Sequence, residues 1–259
     1  MIQIFLISGI TIFIYMIIVY LIAQSVKNNS IVDTAWGMGF AITTLALIFS
    51  SEKIYPSMLI LSLMILLWGI RLSFYIYMRN LGKPEDFRYA NWRTEWGSRQ
   101  PWIAFYKIFM LQGAIMWIVA LPVMMVFSKH TSLPGIAGSV GVFIFLSGLL
   151  FEGIADKQMK QFKSYPPNKG KIITTGLWKY SRHPNYFGEA LLWWGIGIYS
   201  FSVSGYWYSF ISPIVISLLL RYVSGVPMLE EKYKSREDFR EYASKTPVFI
   251  PLIGKKSLV

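Results

Sequence analysis

Seven long apolar runs dominate the chain and limit what it can fold into. They lie at about 2–23, 31–50, 57–78, 102–127, 134–155, 186–203 and 206–224. Each is near the length at which an α-helix crosses a hydrocarbon core of about 30 Å. Because 54% of the residues are hydrophobic and only 15% are charged, an ordinary soluble domain is excluded. The runs predict an all-α integral membrane protein with about seven transmembrane helices, whose cytoplasmic loops cap a cavity on the inner side.

The distribution of basic residues predicts the orientation in the membrane. Most of the 25 Lys and Arg residues follow the first, third, fifth and seventh runs, whereas only Lys53 and Lys129 fall in the opposite loops. Since basic loops stay on the cytoplasmic side, we expect an outside N-terminus and a cytoplasmic C-terminus. The net charge of +12 then reflects topology and attraction to anionic membrane lipids, and no nucleic-acid partner is expected.

Metal and thiol chemistry have few candidate residues. The chain contains no cysteine and two histidines, His130 in a predicted outer loop and His183 in an inner one. Disulfides, thiolate metal sites and cysteine nucleophiles are therefore excluded. Two histidines on opposite sides of a membrane cannot share a metal ion, so we expect no metal site.

The segment GLWKYSRHPNYFGE at 176–189 is the strongest candidate for a binding site. It brings cationic, aromatic and carboxylate side chains to the mouth of an apolar run, where such groups are costly unless they face a polar ligand or each other. One interpretation is a basic interface loop with belt aromatics. The combination of Arg182, His183, Asn185 and Glu189 favours the head group of a bound cofactor.

Other ionisable groups lie at the inner ends of the predicted helices, and each has two interpretations. Asp33 begins the second run, where it either caps the helix or contacts substrate. Glu152 and Asp156 precede Lys160 and Lys163 on one helical stripe, which either binds a ribose and phosphate or is a solvated face. More generally, these charges form either a wet cavity or ion pairs that clamp the helices.

The chain contains neither GxGxxG nor GxxxxGK[ST], so a Rossmann fold and a P-loop are excluded. Any nucleotide must be held by side chains within the helical bundle. We expect the polar side chains of the second, third, fifth and sixth helices to meet around it.

Five motifs resemble a known family. They are VDTAWG at 32–37, NLGKPED at 80–86, GLWKYSRHPNYFGEALLWWG at 176–195, SGVPMLE at 224–230 and TPVFIP at 246–251. Residues from about 140 to 251 resemble the C-terminal domain of the steroid 5α-reductase superfamily, and the whole chain resembles its bacterial DUF1295 branch. This resemblance implies seven membrane helices and a cytoplasm-facing cavity that encloses NADPH with a hydrophobic enone or alkene. Similar sequences in isoprenylcysteine carboxyl methyltransferases and phospholipid N-methyltransferases bind S-adenosylmethionine instead.

The resemblance also implies site residues. Asn80 and Lys83 match an Asn-Arg-Gly-Arg-Pro run of the reductases, while Asn185 and Glu189 match their Asn-Tyr/Phe-Phe/Leu-Gly-Glu element. Glu152 replaces an amide of the reductases, and His183 is shared with the methyltransferase-like relatives. Asp156 and Lys163 resemble the family's nucleotide-contacting acidic and basic residues. Together with the residues singled out above, the predicted cofactor-binding set is Asn80, Lys83, Glu152, Asp156, Lys163, Tyr180, Arg182, His183, Asn185, Tyr186, Glu189 and Glu230.

The substrate end departs from the steroid reductases. Those enzymes are expected to hold the steroid ketone with a Gln-Glu pair on the second helix and a tyrosine on the third, and this chain has neither at the matching place. Asp33 is the possible substitute for the glutamate, and Tyr75 is among the nearest tyrosines. Both are therefore predicted as catalytic residues.

The resulting prediction is a bacterial inner-membrane oxidoreductase. It would use NADPH to reduce an activated C=C bond of a hydrophobic, steroid-like or lipid substrate that enters from the bilayer. We expect one membrane domain, with substrate-side helices in 1–133 and the cofactor-binding part in 134–259. The alternatives are an S-adenosylmethionine-dependent methyltransferase and a non-catalytic lipid-binding protein.

Overall fold

The computed structural model describes residues 1–129 and 134–252, and within these ranges the chain is helical without β-strands. The α-helices are α1 Ile2–Ser25, α2 Ile31–Phe49, α3 Pro56–Asn80, α4 Phe87–Trp96, α5 Gln100–Ala104, α6 Leu111–Val119, α7 Leu121–Phe127, α8 Ile136–Ser164, α9 Pro184–Ser204, α10 Ile211–Leu218, α11 Val226–Tyr233 and α12 Glu237–Lys245. Two π-helical stretches, Phe105–Met110 and Leu219–Val223, continue α5 and α10. The all-α prediction is confirmed.

Within the described ranges, six helical segments are long and apolar enough to cross a membrane. They are Ile2–Ser25, Ile31–Phe49, Pro56–Asn80, Phe87–Val119, Ile136–Ser164 and Trp207–Glu231. The other predicted run corresponds to α9, which has 21 residues and is less apolar because it contains Glu189, Trp193 and Trp194. The architecture agrees with the prediction of about seven membrane helices. His130, predicted in an outer loop, lies outside the described residues.

The chain forms two compact units. The N-terminal unit comprises Met1–Gly135 and Ser200–Ile211, and the C-terminal unit comprises Ile136–Tyr199 and Ser212–Val259. Residues 200–211 return to the N-terminal unit because Ser200 Oγ donates to the Pro122 carbonyl at 2.9 Å and bonds Ser209 Oγ at 2.8 Å. This return is not part of the sequence-based expectation.

In the N-terminal unit, α2 and α3 pack backbone against backbone. A Cβ atom at Gly69 would lie 2.5 Å from the Gly37 carbonyl oxygen, closer than real Cβ atoms approach. Beside this contact, the buried Phe40 and Trp68 rings meet edge to face with centroids 5.4 Å apart. Small residues therefore let the two helices approach closely, as is common between membrane helices.

In the C-terminal unit, α8 and α9 pack through two glycines on each helix. The four are Gly141, Gly148, Gly188 and Gly195. A Cβ atom at Gly148 would lie 2.5 Å from Leu192 N, and one at Gly188 would lie 2.5 Å from Glu152 N. The second contact brings the start of α9 against the part of α8 that carries the predicted carboxylates.

Candidate functional site

In the N-terminal unit, the polar segment after α3 forms a loop and then the short helix α4. Gly82 turns the chain with a φ of 72°. Asp86 then caps α4, because its Oδ1 accepts from the Arg88 backbone N–H at 3.1 Å. The polar segment is thus a turn followed by one short capped helix.

Asp33 joins this loop through two hydrogen bonds. The Tyr89 hydroxyl donates to Asp33 Oδ1 at 2.6 Å, and Arg88 Nη2 donates to Asp33 Oδ2 at 2.9 Å. Asp33 is the third residue of α2, whose N-cap is Ser30. The interpretation of Asp33 as the helix cap is therefore wrong, since its carboxylate is bound to side chains of α4.

Arg88 links Asp33 to a second carboxylate. Arg88 Nε donates to Asp86 Oδ1 at 2.8 Å. Partial burial raises the pKa of Asp86, but the hydrogen bonds and the charge of Arg88 outweigh this effect and hold the pKa below its ordinary value. Both carboxylates therefore share one guanidinium.

A second ion pair holds the same loop to the start of α2. Arg93 donates from Nε and Nη2 to the two oxygens of Glu85, at 2.9 and 3.0 Å. Glu85 Oε1 also accepts from the Asn29 backbone N–H at 2.5 Å. Glu85 therefore ties the loop both to α4 and to the residues just before α2.

The structure groups Tyr89, rather than the predicted Tyr75, with Asp33. The Tyr75 ring lies between Arg71 and Arg79, whose guanidinium carbons are each 5.8 Å from its centroid. Tyr89 is buried, with 3% of its surface exposed. The sequence analysis missed Tyr89 because the comparison with steroid reductases directs attention to tyrosines on α3. The sequence signal for Tyr89 is its position next to Arg88 in a segment rich in charged and aromatic residues.

Asn80 and Lys83 occupy the end of α3 and the loop after it. Asn80 is half-buried, and Lys83 is exposed with its ammonium group donating to the Arg79 carbonyl. Their proposed contact with a cofactor stays a prediction.

Three predicted carboxylates are buried in the C-terminal unit. Glu152, Asp156 and Glu189 expose 2%, 4% and 8% of their surface. Lys160 and Lys163, further along α8, are exposed. The solvated-face interpretation therefore fits the two lysines and is wrong for Glu152 and Asp156.

The 176–183 loop is closed by an ion pair with α11. Arg182 Nε and Nη2 donate to Glu230 Oε1 and Oε2 at 2.7 and 3.1 Å. His183 Nε2 lies 3.2 Å from Glu230 Oε1, and the His183 ring stacks on Tyr186 with centroids 5.6 Å apart. Four predicted cofactor residues thus form one cluster.

The remaining hydrogen bonds of Arg182 go to the C-terminal tail, which we define as residues 234–252. Arg182 Nη1 donates to the carbonyls of Ala243 and Thr246 at 2.8 and 3.0 Å, and its backbone N–H donates to Pro247 at 2.9 Å. The guanidinium is therefore engaged in holding the tail. Its predicted contact with a phosphate stays a prediction.

Further contacts bind the tail along the 176–183 loop. Ser181 Oγ donates to the Phe249 carbonyl at 2.7 Å, and the Tyr180 carbonyl accepts from the Leu252 N–H at 3.3 Å. The Tyr242 hydroxyl donates to the Trp178 carbonyl, and burial raises the pKa of this hydroxyl, which favours its protonated form. The TPVFIP motif is therefore held against the 176–183 loop by hydrogen bonds.

Asn185 and Tyr186 begin α9 and are half-buried. Tyr180 is exposed, with 37% of its surface accessible. A cavity of about 150 Å³ adjoins the cluster. Its lining combines aromatic and aliphatic side chains with five ionisable residues, Lys163, Lys171, Arg182, His183 and Glu230. The C-terminal unit thus combines buried carboxylates with a small, partly aromatic cavity.

Comparison with known proteins assigns the family. The family described as "Protein of unknown function (DUF1295)" matches residues 19–246. The chain belongs to the DUF1295 family. This DUF1295 protein is also 46% identical over 48 residues to "Probable O-methyltransferase ustE" of Ustilaginoidea virens, a match that covers 18% of this chain and 17% of that protein. No solved structure matches the chain.

Proposed function

We propose that this DUF1295 protein is a membrane oxidoreductase that uses NADPH to reduce an activated C=C bond of a hydrophobic substrate. The observation that carries the proposal is the burial of Glu152, Asp156 and Glu189 where α8 and α9 pack together. Ionisable groups within membrane helices are costly and often mark a substrate or ion site. Membership of the DUF1295 family is compatible with an enzyme.

The side chains of the C-terminal unit fit the chemistry of a nucleotide cofactor. Buried carboxylates accept hydrogen bonds from ribose hydroxyls, and Asn185 offers both a donor and an acceptor to a carboxamide. Exposed Lys160 and Lys163 offer positive charge to phosphates. In this proposal, Glu152 and Asp156 orient a ribose, while Glu189 and Asn185 orient the cofactor's amide group.

The N-terminal unit offers a proton source. NADPH, when bound, would supply the hydride for the β-carbon of an enone. Negative charge then develops on the carbonyl oxygen, and a proton must be delivered to complete the reduction. We propose that this proton comes from Asp33 in its protonated form or from the Tyr89 hydroxyl that is hydrogen-bonded to it, while Arg88 holds the Asp33 carboxyl in place. Tyr75 is the alternative donor.

The proposal includes the site of action. In the part of the chain that the structure describes, six apolar helical segments are long enough to span a membrane. The basic loops favour an outside N-terminus and a cytoplasmic C-terminus. The reductase would therefore work in a bacterial inner membrane and take its substrate from the bilayer.

Ligand-dependent stability tests the cofactor. A ligand that binds only the folded protein at a hundredfold excess over its Kd stabilises it by about 2.7 kcal/mol. We expect NADPH to stabilise the purified full chain, and an enone to cause NADPH oxidation. Stabilisation by S-adenosylmethionine with no response to NADPH would contradict the reductase.

A matched pair of variants tests the residues. Glu189→Gln should remove the NADPH response, whereas Glu231→Gln, at a side chain that is 75% exposed, should retain it. Stability without ligand is measured for both variants. If Glu189→Gln unfolds in the absence of ligand, the carboxylate acts as a helix clamp and the ligand-binding role is rejected.

A second candidate is an S-adenosylmethionine-dependent methyltransferase. Two observations favour it: the 48-residue similarity to a protein described as an O-methyltransferase, and the engagement of Arg182 by Glu230 and tail carbonyls. S-adenosylmethionine carries no phosphate, so it does not require a free guanidinium. Transfer of an isotope-labelled methyl group to a membrane-lipid extract, abolished by Glu189→Gln, would support this candidate.

A further inference from the structure

The apolar helix α6 carries a single amide side chain. It belongs to Gln112, and the only other polar group among the side chains of Leu111–Val119 is the indole N–H of Trp117. Gln112 is half-buried and lies within the Phe87–Val119 segment, which is long and apolar enough to cross a membrane. An amide in such a helix is costly unless it finds a hydrogen-bonding partner. The partner therefore indicates what Gln112 does.

The partner of Gln112 is the Tyr89 hydroxyl, to which its side chain is hydrogen-bonded. The hydroxyl donates its one proton to Asp33 Oδ1 at 2.6 Å. The Gln112 amide must then supply an N–H, and the Tyr89 oxygen accepts it. The Tyr89 oxygen is thus held between a carboxyl group of α2 and an amide of α6.

The helix around Gln112 explains why its side chain points this way. The π-helical stretch Phe105–Met110 ends two residues before it. A π-helix hydrogen-bonds i→i+5, which rotates the residues that follow relative to a continuous α-helix, and such turns are frequent at functional sites. Met116 packs on α2, since a Cβ atom at Gly39 would lie 2.5 Å from the Met116 sulfur. Residues i and i+4 share a helix face, so Gln112 lies on the side of α6 that meets α2.

The other groups around the Tyr89 hydroxyl are also fixed. Arg88 Nη2 donates to the second oxygen of Asp33 at 2.9 Å. The Tyr89 ring meets the Trp92 ring edge to face, with centroids 5.5 Å apart. Three helices, α2, α4 and α6, therefore determine the position of one hydroxyl oxygen. Proton transfer requires donor and acceptor held within hydrogen-bonding distance in this way.

We propose that Gln112 is a positioning residue for proton transfer from Asp33 through Tyr89. This inference rests on the proposed reduction of an enone. When Asp33 is protonated, its O–H donates to the Tyr89 oxygen and the Gln112 N–H fills the second acceptor position of that oxygen. The Tyr89 O–H is then left to face the substrate.

The proton transfer balances as follows. The Tyr89 O–H bond breaks as a C–H bond forms at the α-carbon of the enolate, and the Asp33 proton passes to the Tyr89 oxygen. Asp33 is left as a carboxylate beside Arg88 and takes up a proton from water before the next turnover. Gln112 orients the hydroxyl and stabilises the negative charge that develops on the Tyr89 oxygen as its proton leaves.

Kinetics of Gln112→Met in the full chain test this role. Methionine keeps the length and fills the space of the side chain but has no N–H, and Gln112→Leu takes its place if the methionine variant does not fold. Since one hydrogen bond contributes up to about tenfold, we expect kcat about tenfold lower. KM should stay within about twofold, because the contact acts on the transition state. In the Tyr89→Phe background, Gln112→Met should have no further effect on kcat, because Gln112 acts through the hydroxyl.

Gln24→Met is the matched control. Gln24 lies in the same unit and its amide donates to Asn29 Oδ1 at 2.9 Å, so the variant removes an amide hydrogen bond elsewhere. Its kcat should equal that of the parent. A readout without turnover is ¹⁹F NMR of the fluorotyrosine-labelled chain. The resonance that disappears in Tyr89→Phe should shift in Gln112→Met and keep its position in Gln24→Met.

The outcomes separate this role from the reductase itself. A parent chain that does not reduce an enone with NADPH overturns the proposed function and the role of Gln112 with it. With an active parent, the role of Gln112 alone is overturned by an unchanged kcat in Gln112→Met, by an equal loss in Gln24→Met, or by a loss that persists in the Tyr89→Phe background. An unshifted Tyr89 resonance in Gln112→Met has the same consequence.

Discussion

Replacing Arg182 by Ala should detach the C-terminal tail from the 176–183 loop and destabilise the C-terminal unit. The Arg182 side chain is 13% exposed and its partner Glu230 is 26% exposed. The substitution removes both bonds to Glu230 and those to the Ala243 and Thr246 carbonyls. It leaves a largely buried carboxylate without its guanidinium.

The magnitude follows from the burial of the pair. Breaking a buried ion pair by removing one partner costs about 3–5 kcal/mol. Because about a quarter of the Glu230 side chain is exposed, water recovers part of this loss, and we expect about 3 kcal/mol. Arg182→Lys keeps the charge without the bidentate geometry and should give an intermediate loss.

The assay is unfolding of the detergent-solubilised full chain, followed by tryptophan fluorescence, together with limited proteolysis of the tail. Arg240 is an exposed arginine on the same tail, and Arg240→Ala should stay within about 0.5 kcal/mol of the parent. In a double-mutant cycle, Arg182→Ala and Glu230→Gln should be strongly non-additive. Additive effects, or an Arg182→Ala chain with parental stability and a protease-resistant tail, would refute the clamp.

Three further predictions concern individual contacts. Gly188→Ala should cost about 2–3 kcal/mol in unfolding free energy, since overpacking destabilises and its Cβ would lie 2.5 Å from a backbone nitrogen of α8. Tyr89→Phe should lower kcat at least about a hundredfold if its hydroxyl donates the proton, with an unchanged cofactor-induced stability shift; an unchanged kcat would transfer the role to Asp33 or Tyr75. Asp86 has a lowered pKa, so its stabilisation is present above the ordinary carboxyl pKa and is lost as pH falls through the folded-state value. The unfolding free energy of the parent chain should therefore exceed that of Asp86→Asn by at most about 1 kcal/mol near neutral pH, and the difference should vanish on acidification. A difference that grows in acid would contradict the ion pair between Asp86 and Arg88.

The membrane helices were the most predictable part of the chain. Over residues 1–129 and 134–252, six of the seven apolar runs correspond to helical segments able to span a membrane. A long apolar stretch is costly in water and must hydrogen-bond its own backbone in lipid, so its length and composition already favour such a helix. α9 is the predicted membrane helix in which the apolar run is weakest. Its carboxylate and two tryptophans lower its apolarity, although they belong to one continuous helix of 21 residues.

The candidate site was only partly predictable. The sequence directed attention to Glu189 through a motif and to Glu152 and Asp156 through their place at the end of an apolar run. Burial then distinguishes Glu152 and Asp156 from the exposed lysines of the same helix. Sequence spacing could not reveal that Arg182 binds a tail more than 60 residues away. Nor could it show that Asp33 pairs with Tyr89, since the two are 56 residues apart and their meeting depends on how the loop after α3 folds.

The amino-acid sequence by itself determined that this protein is helical, that most of its helices can lie in a membrane, and that its polar chemistry is confined to a few segments. These properties follow from length, apolarity and local hydrogen bonding, which are short-range quantities. Only the tertiary structure decided which charges become partners. Arg182 and Asp33 each had several candidate partners, and the choice was made by glycine-mediated helix contacts and loop closure that bring distant residues within hydrogen-bonding distance.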